Sequence, residues 1–282
     1  MTLQGNAEIF EAFRPVTATA SGRHVYDFTG SATRVTYKRG WQSFAATAGR
    51  TVKSKYPPKN EHYLDWVAML QSVARASGTF RMAELGAGWA PWTVRAALAS
   101  RQIPGVTALE LLAIEADPTH YEWMIEHFRD NGLDPSRFHL LHGAASPRSE
   151  MLRFPVISEP DVDYGASVRG AAGAAATIDV KGHTVAELLS RFSGPLDFLH
   201  VDIQGAEYEC LPPAMDVLSR QVKSVMIGTH LGSDMHATLA NRFREAGWVE
   251  NVNLVGNRAH ATPWGEIKLD DGFLHYDNPC LH

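Results

Sequence analysis

Apolar runs and amphipathic stretches alternate from about residue 60 onward, and this alternation limits the possible folds more than any other feature. The apolar runs have the length of buried strands and lie at 80–85, 109–115, 138–141, 151–156, 196–203 and 222–228. The stretches with helical spacing lie at 60–77, 91–99, 118–131, 184–192, 206–218 and 234–246. Because strands and helices follow one another in turn, we predict a parallel sheet with helices on both faces.

The C-terminal part of the chain breaks this alternation. Residues 248–255 and 266–276 are typical of two strands, with only a loop between them and no helix. Parallel strands need a crossover of a dozen or more residues, so these two strands are predicted to pair antiparallel. The predicted fold class is therefore α/β, with a mostly parallel sheet that carries an antiparallel C-terminal hairpin at one edge.

Two segments lie outside this pattern. Residues 1–58 lack clean periodicity apart from a possible short strand at 35–37, and we predict an N-terminal extension that covers the core. Residues 59–282 then form the main domain. Within it, 157–176 is rich in Gly, Ala and Asp, which is typical of a mobile surface loop, but its length also fits a lid over a binding site.

Charge and composition exclude several classes of protein. The formal net charge of −5 argues against a dedicated nucleic-acid-binding protein, which normally carries a basic surface. Only two cysteines occur, so no disulfide framework is expected. The N-terminal sequence does not resemble a signal peptide, and no run of about 18 apolar residues is present. We therefore expect a cytoplasmic protein without nucleic-acid or membrane partners, whose oligomeric state the sequence does not indicate.

A glycine turn follows the first predicted strand, in the sequence MAELGAGWAPW. Glycines allow a ligand to approach the backbone, and the helix that begins at Pro91 offers free N–H groups, although a tight turn alone would also need glycine. Pro91 takes the place of the third glycine of a dinucleotide fingerprint, which argues against NAD or FAD. The acidic Glu84 suits a cationic ligand such as S-adenosylmethionine. The turn residues assigned to the cofactor are Gly86, Ala87, Gly88 and Trp89.

The next two strand ends extend the predicted cofactor site. Glu115 is placed to accept hydrogen bonds from both ribose hydroxyls, with Ala116 beside it, whereas Asp117 is better explained as the cap of the following helix. The small residues Gly143 and Ala144 leave room for an adenine ring at the third strand end.

The last parallel strands end in ionisable residues. Asp202 follows a buried apolar strand and His230 follows the next one, so both are expected at the ligand-binding edge of the sheet as candidate catalytic residues. Gln204 is assigned to the substrate. Glu207 is assigned to it too, although the helix dipole alone would favour an acidic residue there.

The segments ELGAGWAPW, AIEADPTHYEWMIEHFRDNGLDP and LDFLHVDIQGAEYECL together resemble the FkbM-type family of class I S-adenosylmethionine-dependent methyltransferases. The resemblance covers about residues 80–276, and the DIQGAE turn is its most specific part. It implies a Rossmann-like sheet of seven strands with a reversed final strand. It also implies that Glu84, Gly86 and Gly88 lie near the methionine side of the cofactor, Glu115 at the ribose and Asp202 at the substrate mouth. Gln204 departs from the Glu that many relatives carry.

Three functions are compatible with these observations. The favoured one is S-adenosylmethionine-dependent methylation of an oxygen, less readily a nitrogen, of a small molecule or sugar, with His230 or Asp202 as the base. The alternatives are a non-catalytic module that binds the same cofactor or a nucleotide, and an NAD-dependent oxidoreductase, which Pro91 and the edge hairpin disfavour. No metal site is predicted, since Asp202 and His230 supply too few ligands. Tyr164 in the loop is assigned to the substrate, and Trp41 and Trp264 either line the same pocket or pack in the core.

Overall fold

The computed structural model describes residues 7–263 and 265–281. Its centre is a sheet of seven strands in the order β3-β2-β1-β4-β5-β7-β6. In chain order the strands are β1 Gly78–Leu85, β2 Val106–Glu115, β3 His139–His142, β4 Phe198–Val201, β5 Ser224–Thr229, β6 Val249–Leu254 and β7 Gly272–Asp277.

Strand directions confirm the predicted sheet. Strands β1 to β5 are parallel to their neighbours, whereas β7 runs antiparallel to both β5 and β6. The expected mostly parallel sheet with a reversed final strand and an antiparallel C-terminal pair is therefore confirmed. All five parallel strands point their carboxyl ends to one edge, which is where ligands bind in sheets of this kind.

Helices cover both faces of the sheet, as predicted. They are α1 Tyr63–Arg75, α2 Pro91–Ser100, α3 Pro118–Asp130, α4 Val185–Leu189, α5 Glu207–Cys210, α6 Met215–Gln221 and α7 Ser233–Glu245. Alternate residues of β1 point to opposite faces: Phe80 and Met82 join one core with α1 to α3, and Ala83 and Leu85 join a second core with α4 to α7. Because both faces are buried, the central strands β1, β4 and β5 are mainly apolar.

Helix α3 begins as predicted, whereas α1 begins later than predicted. The Asp117 side chain accepts a hydrogen bond from His120 N at 2.8 Å, so it caps α3 as the sequence favoured. Helix α1 begins after His62 rather than at Asn60, and Gly78 opens β1 instead of ending that helix.

Prolines divide the helix predicted at 206–218. Helix α5 ends at Cys210, a 3₁₀ turn follows at Pro212–Ala214, and α6 then begins at Met215. A proline lacks the N–H donor and crowds the preceding turn, so two in a row interrupt the α-helix.

Three strand predictions need correction. The segment Val35–Tyr37 is a 3₁₀ helix, and the strand precedes it at Ala32–Arg34. The run at 266–276 is two strands: Gly265–Leu269 pairs with Arg258–Thr262 as a separate ribbon, and only β7 enters the main sheet. The strand Thr177–His183 was not predicted; it pairs with Met151–Pro155 and with Ala144–Ala145 to form a small second sheet.

The N-terminal segment packs against the helices on the first face. Arg34 pairs with Asp130 at 2.6 Å and with Glu126 at 2.6 Å on α3. Asn131 accepts a hydrogen bond from Ala32 N at 2.8 Å, and the segment contributes Phe10 to the first core. Its own structure consists of two short antiparallel ribbons, Thr17–Thr19 with Thr51–Lys53 and His24–Tyr26 with Ala32–Arg34, and 3₁₀ helices at Ala7–Ala12, Val35–Tyr37 and Arg39–Thr47.

Among the helices within residues 7–263 and 265–281, none is both long and apolar enough to cross a bilayer.

Candidate active site

A cavity opens at the carboxyl ends of β1, β2 and β4, and most of the predicted site residues line it. Those that do are Glu84, Gly86, Ala87, Gly88, Trp89, Glu115, Ala116, Gly143, Ala144, Tyr164, Asp202 and Gln204. The two predicted residues that are absent from its lining are Glu207 and His230.

Glu84 organises the turn between β1 and α2. It is 1% exposed and accepts hydrogen bonds from Trp92 N at 3.3 Å, from Thr93 N at 2.7 Å and from the Thr93 hydroxyl at 2.6 Å. Ala90, the residue before the helix, has no capping side chain, so the carboxylate from β1 satisfies these first N–H groups instead. Burial raises the pKa of Glu84 above its usual value.

The glycine turn lets two chain segments touch. Gly86 has φ +75°, and a Cβ placed on it would lie 1.8 Å from the Asp202 carbonyl oxygen. A larger residue therefore cannot stand at this position without moving the end of β4. Gly88 has φ +54° with only the Tyr164 ring within 4 Å of a Cβ, so its surroundings are open.

Glu115 connects the end of β2 to the same turn. One carboxylate oxygen accepts from Gly88 N at 2.7 Å, and the other accepts from Asp117 N at 2.7 Å. Burial raises the pKa of Glu115. Its cavity-lining position is the one that the ribose prediction requires, and each carboxylate oxygen retains acceptor capacity beyond these bonds.

Asp202 and His230 lie side by side at the ends of β4 and β5. His230 Nε2 is 3.2 Å from Asp202 Oδ1, and its Nδ1 is 3.2 Å from Glu207 Oε1. Burial disfavours the charged ring, but the hydrogen bonds with both carboxylates raise the pKa of His230 to about 10. Burial also opposes ionisation of Asp202, yet the hydrogen bond from His230 lowers its pKa. The pair is therefore a carboxylate and an imidazolium at neutral pH.

The structure corrects the assignment of Glu207 as a substrate contact. Its side chain is fully buried, and its oxygens accept from Gly205 N at 2.8 Å and from His230 N at 3.1 Å. Glu207 thus lies behind His230, on the far side from the cavity. Sequence alone did not show this, because the turn after β4 reverses the chain between Asp202 and Glu207.

Gln204 extends the polar rim of the cavity. Its side-chain amide donates to Asp202 Oδ1 at 2.8 Å, and its backbone has φ +52°. Asp202 Oδ1 therefore receives two hydrogen bonds. Asp202 Oδ2 has no hydrogen-bond partner among the described residues, and the side chain is 43% exposed.

Tyr164 closes the cavity from the loop at 157–176. Its ring stacks on His120 at 4.6 Å and meets Trp89 edge-on at 4.9 Å, and its hydroxyl donates to the Tyr37 carbonyl oxygen. Trp41 lines the cavity too, whereas Trp264 lies outside the described residues.

Lys38 and His200 are two of the cavity residues that the sequence analysis missed. Lys38 Nζ lies 5.5 Å from the Trp89 ring, 5.6 Å from Tyr164 and 5.8 Å from Trp41, and burial lowers its pKa. No sequence pattern marked it, because it lies in the segment without periodicity. His200, buried in β4, was readable in principle: it is an ionisable side chain within an apolar strand, two residues before Asp202.

No cluster of three or more His, Cys, Asp or Glu side chains within residues 7–263 and 265–281 is arranged to hold a metal ion.

Two comparisons of the sequence with known proteins find methyltransferases. The family model of the Methyltransferase FkbM domain matches residues 97–247. A protein of Jannaschia sp. (strain CCS1), named "Putative methyltransferase", is 30% identical over 241 residues, which are 81% of this chain and 84% of that protein.

Two solved structures show partial similarity to the chain. Methyltransferase FkbM from Methylobacillus flagellatus KT has a TM-score of 0.45 at 14% identity, with 72% of this chain and 44% of that chain covered. Precorrin-6y C5,15-methyltransferase from Geobacter metallireducens GS-15 has a TM-score of 0.42 at 12% identity, with 75% and 85% covered.

A seven-stranded sheet with a reversed final strand, and a cavity at its glycine turn, define a class I methyltransferase fold. The family match and the 30% identical relative go further: the chain belongs to the FkbM methyltransferase family, and the resemblance noted in the sequence is confirmed.

Proposed function

We propose that this methyltransferase uses S-adenosylmethionine to methylate an oxygen of a small molecule or a sugar hydroxyl. One observation carries the proposal: a single cavity runs from Glu115 at the end of β2, across the glycine turn, to Asp202 at the end of β4. A ligand that spans this cavity meets the Glu115 carboxylate, which can accept hydrogen bonds from ribose hydroxyls, at one end. At the other end it meets the Asp202 carboxylate.

The residues present fit this cofactor. Glu115 would accept hydrogen bonds from the ribose hydroxyls, and Gly143 and Ala144 leave space for the adenine ring. The buried His200 Nδ1 has no partner within the part of the chain that the structure describes, so the cavity wall still has a polar atom to satisfy. Carboxylates around the cavity also favour a cationic sulfur compound over an anionic pyrophosphate.

The chemistry of the step is a displacement at carbon. When bound, S-adenosylmethionine supplies a methyl group made electrophilic by its sulfonium. The chain itself holds the acceptor in line and excludes water, and the aromatic rings of Trp89 and Tyr164 at the cavity support both roles.

Asp202 is the favoured base of the two candidates. With a pKa of about 10, the His230 ring is already protonated at neutral pH, so it cannot accept another proton. Asp202 Oδ2 is free of hydrogen bonds among the described residues, so it would accept the proton from the acceptor hydroxyl as the new bond forms. His230 and Gln204 would fix the carboxylate in place through Oδ1.

Two segments are proposed to shape the acceptor pocket. The loop at 157–176 would act as a lid, and the N-terminal segment 1–58 would cover the core of the domain 59–282. Tyr164 and Lys38, one from each segment, line the cavity, which supports this division. A net charge of −5 supports a small acceptor rather than a nucleic acid.

Calorimetry followed by a transfer assay tests the proposal. S-adenosylhomocysteine is expected to bind and NADH is not, and label from methyl-labelled S-adenosylmethionine is expected to enter a pool of small hydroxylated acceptors. Binding without transfer into any acceptor would favour the non-catalytic module, and binding of NADH alone would contradict the cofactor assignment.

A further inference from the structure

His200 leaves one buried polar atom unsatisfied at the cavity. The side chain lies in β4, is 2% exposed and lines the cavity. Its Nε2 is 3.3 Å from Asp65 Oδ1 on α1. Its Nδ1 is buried and has no hydrogen-bond partner within residues 7–263 and 265–281. Buried polar atoms are nearly always paired in native proteins, so Nδ1 indicates a missing ligand atom.

The surroundings of His200 determine what that atom must be. His200 and Glu84 are direct register partners on β4 and β1, so their side chains share one face of the sheet. Burial opposes a charge on the ring, but the Asp65 hydrogen bond and the charges of Glu84 and Asp202 raise the pKa of His200. Nε2 carries a hydrogen directed at the Asp65 carboxylate, and when Nδ1 is protonated as well its partner must be an acceptor.

Two cations also line the cavity, Lys38 and Arg95, and the charge of Arg95 contributes to the lowered pKa of Lys38 after the larger effect of burial. Lys38 has no carboxylate within ion-pair distance in the described part of the chain, whereas Arg95 pairs with Asp27 at 3.0 Å. The Arg95 guanidinium lies 4.6 Å from the centre of the Trp92 ring, which stacks on His200 at 5.6 Å. A ligand group on this side of the cavity is therefore expected to be an anion.

Sheet order shows which part of the cofactor reaches His200. Glu115, the proposed ribose contact, lies on β2, and β4 lies on the opposite side of β1. A cofactor that crosses the glycine turn from β2 extends its methionine half toward β4. That half carries a single anionic group, the α-carboxylate.

We propose that His200 Nδ1 donates a hydrogen bond to the α-carboxylate of the cofactor and that Asp65 holds the ring in this orientation. This subsite rests on the proposed dependence on S-adenosylmethionine. The contact explains why an ionisable side chain is present inside an apolar strand. It also means that the protein recognises the α-carboxylate of the cofactor.

Three ligands and two variants test the contact by calorimetry. S-adenosylhomocysteine has the carboxylate, its decarboxylated form keeps only the amine, and 5′-methylthioadenosine lacks both. In His200→Gln the amide nitrogen lies near the position of Nε2, so the Asp65 contact is kept and the Nδ1 donor is lost. In His200→Asn the amide nitrogen lies near Nδ1, so the donor is kept.

The expected losses follow from the carboxylate. His200→Gln is expected to weaken S-adenosylhomocysteine binding about 10- to 100-fold, the effect of one charge-assisted hydrogen bond. It should leave the other two ligands unchanged, and His200→Asn should recover most of the loss.

Other results overturn the contact. If His200→Gln loses the same affinity for S-adenosylhomocysteine and for its decarboxylated form, His200 contacts the amine or has only a structural role. If His200→Asn binds 5′-methylthioadenosine normally but binds S-adenosylhomocysteine as weakly as His200→Gln does, a hydrogen bond from Nδ1 to the carboxylate is excluded. If the unmodified protein binds none of the three ligands, the proposed function itself fails, which is a separate result.

Discussion

Asp202 and His230 show how an ion pair determines which partner can accept a proton. The pKa of His230 rises to about 10 and that of Asp202 falls, because each stabilises the charged form of the other. A histidine is the common base near neutral pH, and the sequence left both residues open for this role. The hydrogen bonds of His230 with Asp202 and, to a smaller extent, with Glu207 keep the ring protonated and so remove His230 from this role.

Asp202→Asn is expected to reduce methyl transfer by about 100-fold or more while binding of S-adenosylhomocysteine stays near the wild-type value, since the amide cannot accept the proton. Transfer is measured with labelled cofactor, and binding by calorimetry. Asp271→Asn is the matched control: Asp271 Oδ2 is 3.7 Å from the same ring nitrogen, but the residue is 60% exposed and does not line the cavity. Full activity in Asp202→Asn would remove it as the base.

The stability contributed by His230 should depend on pH. Its pKa is raised from 6.5 to about 10 on folding, so this contribution is fully present below pH 6.5 and is lost as the pH rises toward 10. His230→Gln is therefore expected to lower the free energy of unfolding by about 2 kcal/mol at pH 6, less than for a fully buried pair, because Asp202 is 43% exposed.

Denaturant unfolding at pH 6 and pH 10 checks this dependence. The difference between wild type and His230→Gln should shrink at pH 10, and the exposed His139→Gln should show little difference at either pH. A difference that is constant with pH would mean that the ring is neutral throughout.

At the scale of elements, the turn between β1 and α2 combines two requirements that the sequence showed separately. Glycines at 86 and 88 were recognised as a ligand loop, and Glu84 as an acidic neighbour. The structure gives both a backbone reason as well: Glu84 satisfies the start of α2, and Gly86 leaves room for the Asp202 carbonyl oxygen. Gly86 is therefore needed for the backbone geometry of the turn itself, and this requirement is compatible with a role of the same turn in ligand binding.

Gly86→Ala is expected to destabilise the protein by about 3 kcal/mol or more, because it combines a left-handed φ with a Cβ 1.8 Å from the Asp202 carbonyl oxygen. Gly132→Ala provides the control: its φ is +67°, but nothing lies within 4 Å of the Cβ, so only about 1 kcal/mol is expected. Chemical denaturation measures both variants. Equal losses would show that the close approach to β4 does not exist in solution.

Element prediction failed where tertiary contacts outweigh local pattern. The strand Thr177–His183 pairs with Met151–Pro155, more than twenty residues away along the chain, and only Ile178 and Val180 of its seven residues are strongly apolar. The 3₁₀ helix at Val35–Tyr37 contains residues with high strand propensity, yet Tyr37 is stacked at 4.8 Å on Trp123 of α3. A residue far along the chain decided each case.

At the scale of the whole molecule, contacts between the N-terminal segment and the loop at 157–176 join two distant parts of the chain beside the cavity. Arg39 pairs with Asp161 at 2.9 Å and with Glu159 at 2.8 Å, and its N–H donates to the Asp161 carbonyl oxygen at 3.1 Å. Tyr164 donates to Tyr37 next to them. These contacts hold the proposed lid in the position seen here.

Arg39→Met is expected to raise hydrogen-exchange rates of the amides at 159–167 several-fold without a measurable shift in the midpoint of global unfolding. Exposed ion pairs contribute little to overall stability, but their loss increases local opening of the loop that they restrain. Exchange is followed by mass spectrometry. Arg242→Met, which removes the exposed pair with Glu245 on α7, should leave these amides unchanged. Unchanged exchange in Arg39→Met would mean that the aromatic contacts of Tyr164 alone hold the loop.

The sequence by itself determined the alternation of strands and helices, the glycine turn and the acidic residues at the strand ends, because periodicity, turn chemistry and helix capping act between near neighbours. It therefore predicted the sheet and a set of site residues of which most line the cavity. Only the tertiary structure decided that Glu207 lies behind His230, that His200 stands beside Glu84, and that Lys38 enters the cavity. Each of these depends on how segments far apart in the chain pack together, and side-chain protonation follows from that packing.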